Sequence, residues 1–392
     1  MISLSEKHVM IQKIAEKLAK ERVAPRAKEI DATGAFPWDV VDLFKKHGFL
    51  YLMYPEQYGG LDGDITSLCL VIEEIAKVSG TCSLIPLAHI VGVMPIMVAG
   101  NEEQKQYLYG RLTQPDKPSL VGFCLTEPEA GSDASHMRTY VTKDGDYYYM
   151  TGKKSMITNG ANSEFFTVFA TTNPVLRTAG ISCFIVEKDA PGVIIGKSEE
   201  KMGMVGSDLT EIIFDNVRLS KENLLGKEGK GWDIAMATLN LSRPGVGAQA
   251  VGLAQGALDF AVEYAWKRVQ FGQKLADFEG IQFMVADMAT HVEAARALVY
   301  DAAMLLDMKV YERDKMSAIG VDKLSAMAKL FSADVAMKVT TDAVQILGGV
   351  GYTKDYPVER MMRDAKATQL YEGTNQIQRI IIARDIFRKY IP

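Results

Sequence analysis

The sequence predicts a mostly α-helical fold with a β domain set into its middle. Three observations carry this. Helical hydrophobic spacing runs to about residue 115, short strand-like runs with turn residues between them follow, and long amphipathic repeats resume from Trp232. The expected units are an N-terminal helical domain over residues 1–118, a β-barrel domain over 119–230 and a C-terminal four-helix bundle over 231–392.

Ser3-Leu-Ser-Glu6 has the Ser-x-x-Glu spacing of a capping box, and Ile11, Ile14 and Leu18 follow at helical spacing. Pro25 is expected to interrupt that helix. Pro37 and Trp38 precede a second run, in which Val40, Leu43 and Phe44 share a face and Gly48 marks the end. Pro55-Glu-Gln-Tyr-Gly-Gly60 is a turn cluster, after which residues 65–78 and 83–99 read as helices. Residues 120–126, 147–151, 164–172, 181–187 and 210–219 are rich in Phe, Val, Ile, Thr and Tyr, as strands are. Asp144-Gly145, Thr151-Gly152, Asn159-Gly160 and Pro191-Gly192 read as the turns between them, and Gly226-Lys-Glu-Gly-Lys-Gly231 as a flexible connection. Beyond it, Ile281, Met284, Met288, Val292, Ala295 and Val299 keep one helical face, and Leu324, Met327, Phe331 and Val335 repeat the idea. Methionines in such stripes read as core packing.

Composition narrows the function. The chain has 392 residues, 48% apolar and 24% charged, with a formal net charge of −5. It has no basic block or aromatic-interleaved Lys/Arg stripe, so neither nucleic acid nor a membrane surface is the expected partner. Apolar runs such as Ile90-Val-Gly-Val-Met-Pro-Ile-Met-Val-Ala99 read as too short and too interrupted to span a bilayer. The first residues lack the layout of a signal peptide, and a cytoplasmic location is expected. Cys69, Cys82, Cys124 and Cys183 are scattered among apolar neighbours, which suits reduced, buried thiols. The five histidines stand singly, and no metal site is expected.

Thr368-Gln-Leu-Tyr-Glu372-Gly-Thr-Asn places a lone carboxylate between an aromatic residue and a Gly-Thr turn that leads into a helical run. Flanked by Leu370 and Tyr371, Glu372 reads either as a desolvated base with a raised pKa or as a solvated carboxylate favouring a helix dipole. Gly245-Val-Gly-Ala-Gln-Ala250 matches G-x-G-x-x-A, but the preceding residues are helical in character, so no dinucleotide fold is expected there. His89, in Leu87-Ala-His-Ile-Val, reads as a satisfied interior histidine before a pocket residue.

Tyr371-Glu-Gly-Thr-Asn-Gln-Ile-Gln-Arg379 resembles the catalytic-glutamate motif of the acyl-CoA dehydrogenases. Gln345-Ile-Leu-Gly-Gly-Val-Gly-Tyr, Tyr356-Pro-Val-Glu-Arg and Met362-Arg-Asp-Ala-Lys366 resemble the same family in the same order, and the likeness covers nearly the whole chain. It implies the acyl-CoA dehydrogenase fold, bound FAD and a homotetramer built as a dimer of dimers. It also implies an oxidoreductase of fatty or carboxylic acid degradation, with electron-transferring flavoprotein as redox partner. Glu372 is then the base that removes the α-proton of an acyl-CoA, while the β-hydride passes to flavin N5. The thioester oxygen accepts bonds from the glutamate's own N–H and a ribityl hydroxyl. Phe123-Cys-Leu-Thr-Glu-Pro-Glu-Ala-Gly-Ser-Asp133 is similar to the flavin signature, which implies flavin contacts from Phe123, Leu125 and Thr126, and ligand contact from Ser132. Ser155-Met-Ile-Thr-Asn-Gly160 resembles the second flavin segment, with Thr158 near N5 and Met156 where relatives often carry an aromatic residue. Arg268 and Phe271, with Gln345, Gly349, Thr374 and Gln376, match contacts to the pyrophosphate and adenine of FAD; Glu279 departs from a usual glutamine.

On the substrate side the resemblance implies Ser132, Asn240, Arg243, Tyr371 and Gly373. Ser242 stands where some relatives keep their catalytic carboxylate. Gln249 and Thr368 match short-chain members, whereas medium-chain members carry glycine and tyrosine there. Cys82 replaces the arginine of glutaryl-CoA dehydrogenases, so a dicarboxylic substrate is not expected. A branched or cyclic acyl group is the alternative, with Gly245 and Gly247 adding width. Enoyl-CoA reduction in the reverse direction and a flavin monooxygenase on the same fold are the competing activities, and Glu372 argues against the second.

Overall fold

The computed structural model describes residues 4–114, 119–311, 321–388 and 390. Helix α1 (Glu6–Leu18) is capped by Ser5, whose side chain accepts from His8 N–H while the His8 ring accepts from Ser5 N–H. Ser3 of the expected capping box lies outside the described residues, and Glu6 is the first helical residue instead of the third. Pro25 does not break the chain out of its helix. A wider π turn at Ala19–Val23 absorbs it, and α2 (Ala24–Thr33) carries on to Gly34.

Helix α3 (Trp38–Lys46) buries Val40, Val41 and Phe44, and every residue of α4 (Ile65–Ala76) is buried. Helix α5 (Gly80–Ala99) is longer than the apolar run suggests, because Pro86 and Pro95 sit inside it without ending it. By length and composition it could cross a bilayer, yet 78% of its most apolar window is buried within the protein, as in a core helix. Helix α6 (Glu102–Leu112) completes this part.

The β domain holds β1 (Leu120–Cys124), β2 (Tyr140–Asp144), β3 (Tyr147–Thr158), β4 (Ser163–Thr171), β5 (Ile181–Glu187), β6 (Val193–Ser198), β7 (Leu209–Ser220) and β8 (Leu224–Leu225). They form one sheet in the order β6-β7-β3-β2-β4-β5-β8, with β1 parallel to β4. Among the described residues the path runs from β6 to β8 without pairing its ends, where a closed barrel was expected, and β1 branches off β4. The sheet covers an apolar interior. Phe166, Val168 and Ala170 point into it beside Met150, Phe184 and Phe214. The alternate residues Phe165 and Phe169 face Val93 and Ile96 of α5 instead. Strands β2 and β6 escape the sequence pattern because most of their residues are exposed or half-exposed. Thr151-Gly152 is not a turn. It lies inside β3 at a bulge, where a Cβ on Gly152 would come within 2.5 Å of Thr139 Cα.

The third part comprises α7 (Gly231–Lys267), the hairpin β9 (Val269–Gln270) with β10 (Gln273–Lys274), α8 (Glu279–Tyr311), α9 (Val321–Leu347), α10 (Val358–Thr368) and α11 (Asn375–Arg388). Gly245–Ala250 lies in the interior of α7, with no strand before it. On α8 the expected stripe is in place, with Met288, Val292, Ala295 and Val299 buried. On α9 it holds only in part. Val335 is buried and Leu324 and Met327 are half-buried, but Phe331 is 38% exposed, and the buried face also takes in Ser325, Ala328, Lys329, Ser332 and Ala336. Gly247 of α7 faces Ala328 of α9, and a Cβ there would meet Val299 of α8 at 2.7 Å.

Candidate active site

Helix α10 stops at Thr368 and α11 starts at Asn375, and Glu372 sits in the turn between them at φ 52°, followed by Gly373 at φ 90°. A glutamate held in the left-handed region needs partners that fix it. Gln378 Nε2 donates to Glu372 O (3.2 Å) and Gly373 O (2.9 Å), and Thr374 caps α11 by accepting from Ile377 N–H at 3.3 Å. Lys329 Nζ reaches Gly373 O (2.8 Å) and Asn375 Oδ1 (3.0 Å), while Asn375 Nδ2 donates to Asp334 at 2.8 Å.

The Glu372 side chain turns to α7, where Ser242 Oγ–H donates to its carboxylate. Burial raises its pKa; the Ser242 bond, Arg243 and Lys329 pull the other way. Leu370 gives no shelter, being 54% exposed; the crowding comes from α7, α9 and Tyr371. The arrangement suits a base that stays within reach of a ligand. Lys329, Gln378 and Asp334 had no place in the sequence reading. One signal was available, a lysine inside the apolar run Ala326-Met-Ala-Lys-Leu330.

Behind the turn, Tyr371 OH donates to Gln249 Oε1, and Gln249 Nε2 donates to Gly80 O (3.1 Å) and Ser83 Oγ (2.8 Å). Gln249 is fully buried, so this chain ties Tyr371 to the start of α5. Thr368 is also buried and spends its hydroxyl on Ala365 O at 2.7 Å. Asn240 bridges Asp322 and Arg243, and Arg243 keeps a buried Nε–H without a partner. The glycine gaps do not widen the site. A Cβ on Gly245 would meet Leu87 Cδ1 at 2.8 Å, and one on Gly247 would meet Val299 at 2.7 Å, so packing already fills both. His89 is an interior residue: Val121 N–H donates to its Nδ1 (3.1 Å), and Nε2 lies 2.8 Å from Tyr54 OH and 3.1 Å from Leu50 O. Burial pushes its pKa down to about 4.

The two expected flavin segments adjoin, because Ser155 N–H donates to Thr126 O at 2.9 Å. Beneath them Lys154, 0% exposed, donates to Glu127 (2.7 Å) and to Leu125 O (3.1 Å), and Glu127 also accepts from the amides of Arg138 and Thr139. Phe123, Thr126 and Thr158 are half-buried, Leu125 is buried, Ser132 is exposed, and Met156 projects at φ 57° with 55% of its surface free. An apolar face edged by two hydroxyls fits a planar amphipathic ring such as isoalloxazine. Arg268, Phe271, Gln345, Gly349 and Gln376 are all exposed on the single chain. Phe271 and Gly272 form the two-residue loop of the β9–β10 hairpin at φ 51° and 80°, leaving the phenyl ring 96% exposed. Glu279 is the exposed first residue of α8, where the helix dipole favours a carboxylate. Among the described residues, no group of three or more His, Cys, Asp or Glu is placed to hold a metal ion.

Three family models match the chain in order: acyl-CoA dehydrogenase N-terminal domain over residues 5–115, middle domain over 122–217 and C-terminal domain over 229–387. The chain belongs to the acyl-CoA dehydrogenases. A relative named acyl-CoA dehydrogenase, from Bacillus subtilis (strain 168), is 47% identical over 97% of this chain and 98% of its own. Cyclohex-1-ene-1-carbonyl-CoA dehydrogenase of Syntrophus aciditrophicus (strain SB) is 44% identical over 98% of this chain and 91% of its own. Among solved structures, butyryl-CoA dehydrogenase from Megasphaera elsdenii superposes with a TM-score of 0.93 at 40% identity, covering 99% of this chain and 100% of the other. This dehydrogenase is therefore an FAD-dependent oxidoreductase acting on acyl-CoA thioesters.

Proposed function

We propose that the enzyme oxidises a short-chain acyl-CoA to its trans-2-enoyl-CoA, with Glu372 as the base that removes the α-proton. The observation that carries this is the placement of Glu372, a carboxylate raised by burial, turned onto Ser242 and Arg243 from a left-handed bend. An α-proton of a thioester is weakly acidic, so the base must be strong for a carboxylate and fixed in position. Burial supplies the first requirement, and the bonds from Gln378 and Lys329 to the turn supply the second. Arg243, with its unpaired Nε–H, is the donor available to the pantetheine arm beside Asn240.

Phe123, Leu125, Thr126, Met156 and Thr158 would hold the flavin ring, and Ser132 would reach ligand from the adjoining loop. Bound FAD supplies the hydride acceptor for the β-carbon. Arg268, Phe271, Gln345 and Gly349, exposed on one chain, would meet the pyrophosphate and adenine side across a subunit boundary, which supports a homotetramer. Thr374 and Gln376, at the start of α11, belong to that same side. Electron-transferring flavoprotein is the proposed acceptor for the reduced enzyme.

The short-chain reading rests on the Tyr371–Gln249–Ser83 chain, which closes the end of the site with groups that a long alkyl tail would leave without partners. A cyclic acyl group is the second reading, favoured by the relative from Syntrophus aciditrophicus. The test is anaerobic bleaching of the flavin by butyryl-CoA, cyclohexanecarbonyl-CoA and longer thioesters. Glu372→Gln should bind FAD and thioester yet fail to bleach, losing about 10⁴-fold or more in kcat. A variant that keeps more than about a tenth of wild-type kcat removes Glu372 from the role.

A further inference from the structure

Lys329 is a buried cation on the face of α9 that packs against α7, among Ser325, Ala328, Ser332 and Ala336. Desolvating an ammonium is costly, and it is retained in such a place only where its hydrogen bonds are met. Here they are met by two uncharged oxygens, Gly373 O at 2.8 Å and Asn375 Oδ1 at 3.0 Å, on either side of Thr374. Gly373 belongs to the turn that carries Glu372, and Asn375 is the first residue of α11 directly after it. The lysine therefore stands beneath the junction of that turn with α11.

We propose that Lys329 is the positioning residue of Glu372: clamped on Gly373 and Asn375, its ammonium fixes the left-handed bend and supplies the buried positive charge opposite which the carboxylate ionises. This rests on the reading of Glu372 as the base. The charged and titratable groups facing Glu372 are few. Helix α7 contributes Arg243, and α9 contributes Lys329 with Asp334 behind it. Helix α11 contributes Arg379, which is turned onto Asp334 at 3.0 Å, and Tyr371 and Asp364 stand on the side of α10. Of these, Arg243 and Lys329 act on the carboxylate as cations, and Lys329 also bonds the next residue of the turn at Gly373 O. Burial draws the lysine down to about 7, with Glu372 and Asp334 favouring its charged form and Arg243 opposing it. In its charged form the lysine favours the ionised carboxylate, so its removal raises the Glu372 pKa.

The test uses flavin-loaded Lys329→Gln, which keeps a donor one bond shorter but no charge, and Lys329→Met, which keeps neither. In both, the acid limb of kcat with butyryl-CoA should move up by about one pH unit, a tenfold loss below the limb that is regained at high pH. Exchange of the substrate α-proton with D2O, followed by NMR, should move with it. Lys329→Met should show a further loss at every pH from the released turn. A limb displaced by less than about 0.3 unit, with flavin content and Tm unchanged, overturns the proposal. Failure of both variants to fold with flavin also overturns it, because the lysine is then a folding residue. Glu372→Gln separates the two claims. If that variant is inactive while the Lys329 variants keep the wild-type limb, Glu372 stands and Lys329 falls.

Discussion

Glu372, Met156 and Phe271 share a property that a sequence does not display: all three hold a positive φ without being glycine. Such conformations cost about 1–3 kcal/mol each and persist where surrounding bonds over-determine them, which happens most at functional sites. Residue identities are legible from sequence, and Glu372 and Thr126 were singled out from it. The residues that set their conformation were not: Lys329 and Lys154 act across 44 and 27 residues, and Gln378, six residues from Glu372, folds back onto the bend in a way no spacing shows. Gln249 belongs to the same scale. Replacing it with glycine removes the amide between Tyr371 and Ser83, so the chain-length optimum of kcat/KM should move to longer acyl groups. Discrimination in an apolar pocket is about 1–3 kcal/mol per methylene, so the preference should be graded. An optimum that stays at four carbons while Tm holds would remove Gln249 from the pocket floor.

Among elements, the joints say more than the elements themselves. The Lys154–Glu127 pair pins the loop after β1 to β3, beneath the proposed flavin face. Glu127→Gln would leave an ammonium buried without its anion, at a cost of about 3–5 kcal/mol. Lower Tm and faster flavin loss are expected, with partial recovery in the double variant Glu127→Gln/Lys154→Met. A second joint lies at Asp364 of α10, 1% exposed, which accepts from Met204 N–H and touches the start of α5 at Gly80. Burial pushes its pKa up to about 6, above the value of an unfolded chain. The native state then binds a proton that the unfolded chain has lost. That contribution is complete below the unfolded pKa and disappears as pH rises through about 6. Asp364→Asn should therefore gain on the wild type between pH 4.5 and 7.5, by up to about 3 kcal/mol, and a Tm difference constant over that range would contradict it. Helix positions were legible because buried faces repeat at helical spacing. Strands β2 and β6 were not, because a strand with few buried residues leaves no alternation to read. The face of α9 is only partly legible because small and polar residues, Ser325, Ala328, Lys329 and Ser332, share the buried side with Val335, while Phe331 is exposed.

For the whole molecule, a helical–β–helical order follows from changes in hydrophobic period, but the assembly does not. The feature that supports the proposed homotetramer is the hairpin that leaves Phe271 96% exposed, three residues on from the exposed Arg268. Arg268→Ala removes a guanidinium suited to a phosphate pair, and both flavin content and oligomer size should fall on gel filtration. Equal flavin and an unchanged oligomer would place the dinucleotide elsewhere. If one chain's hairpin closes the cofactor pocket of another, FAD and the neighbouring subunit are linked ligands, each raising the affinity for the other by the same factor. Dilution alone should then release flavin, added FAD should restore assembly, and the melting temperature should climb with protein concentration.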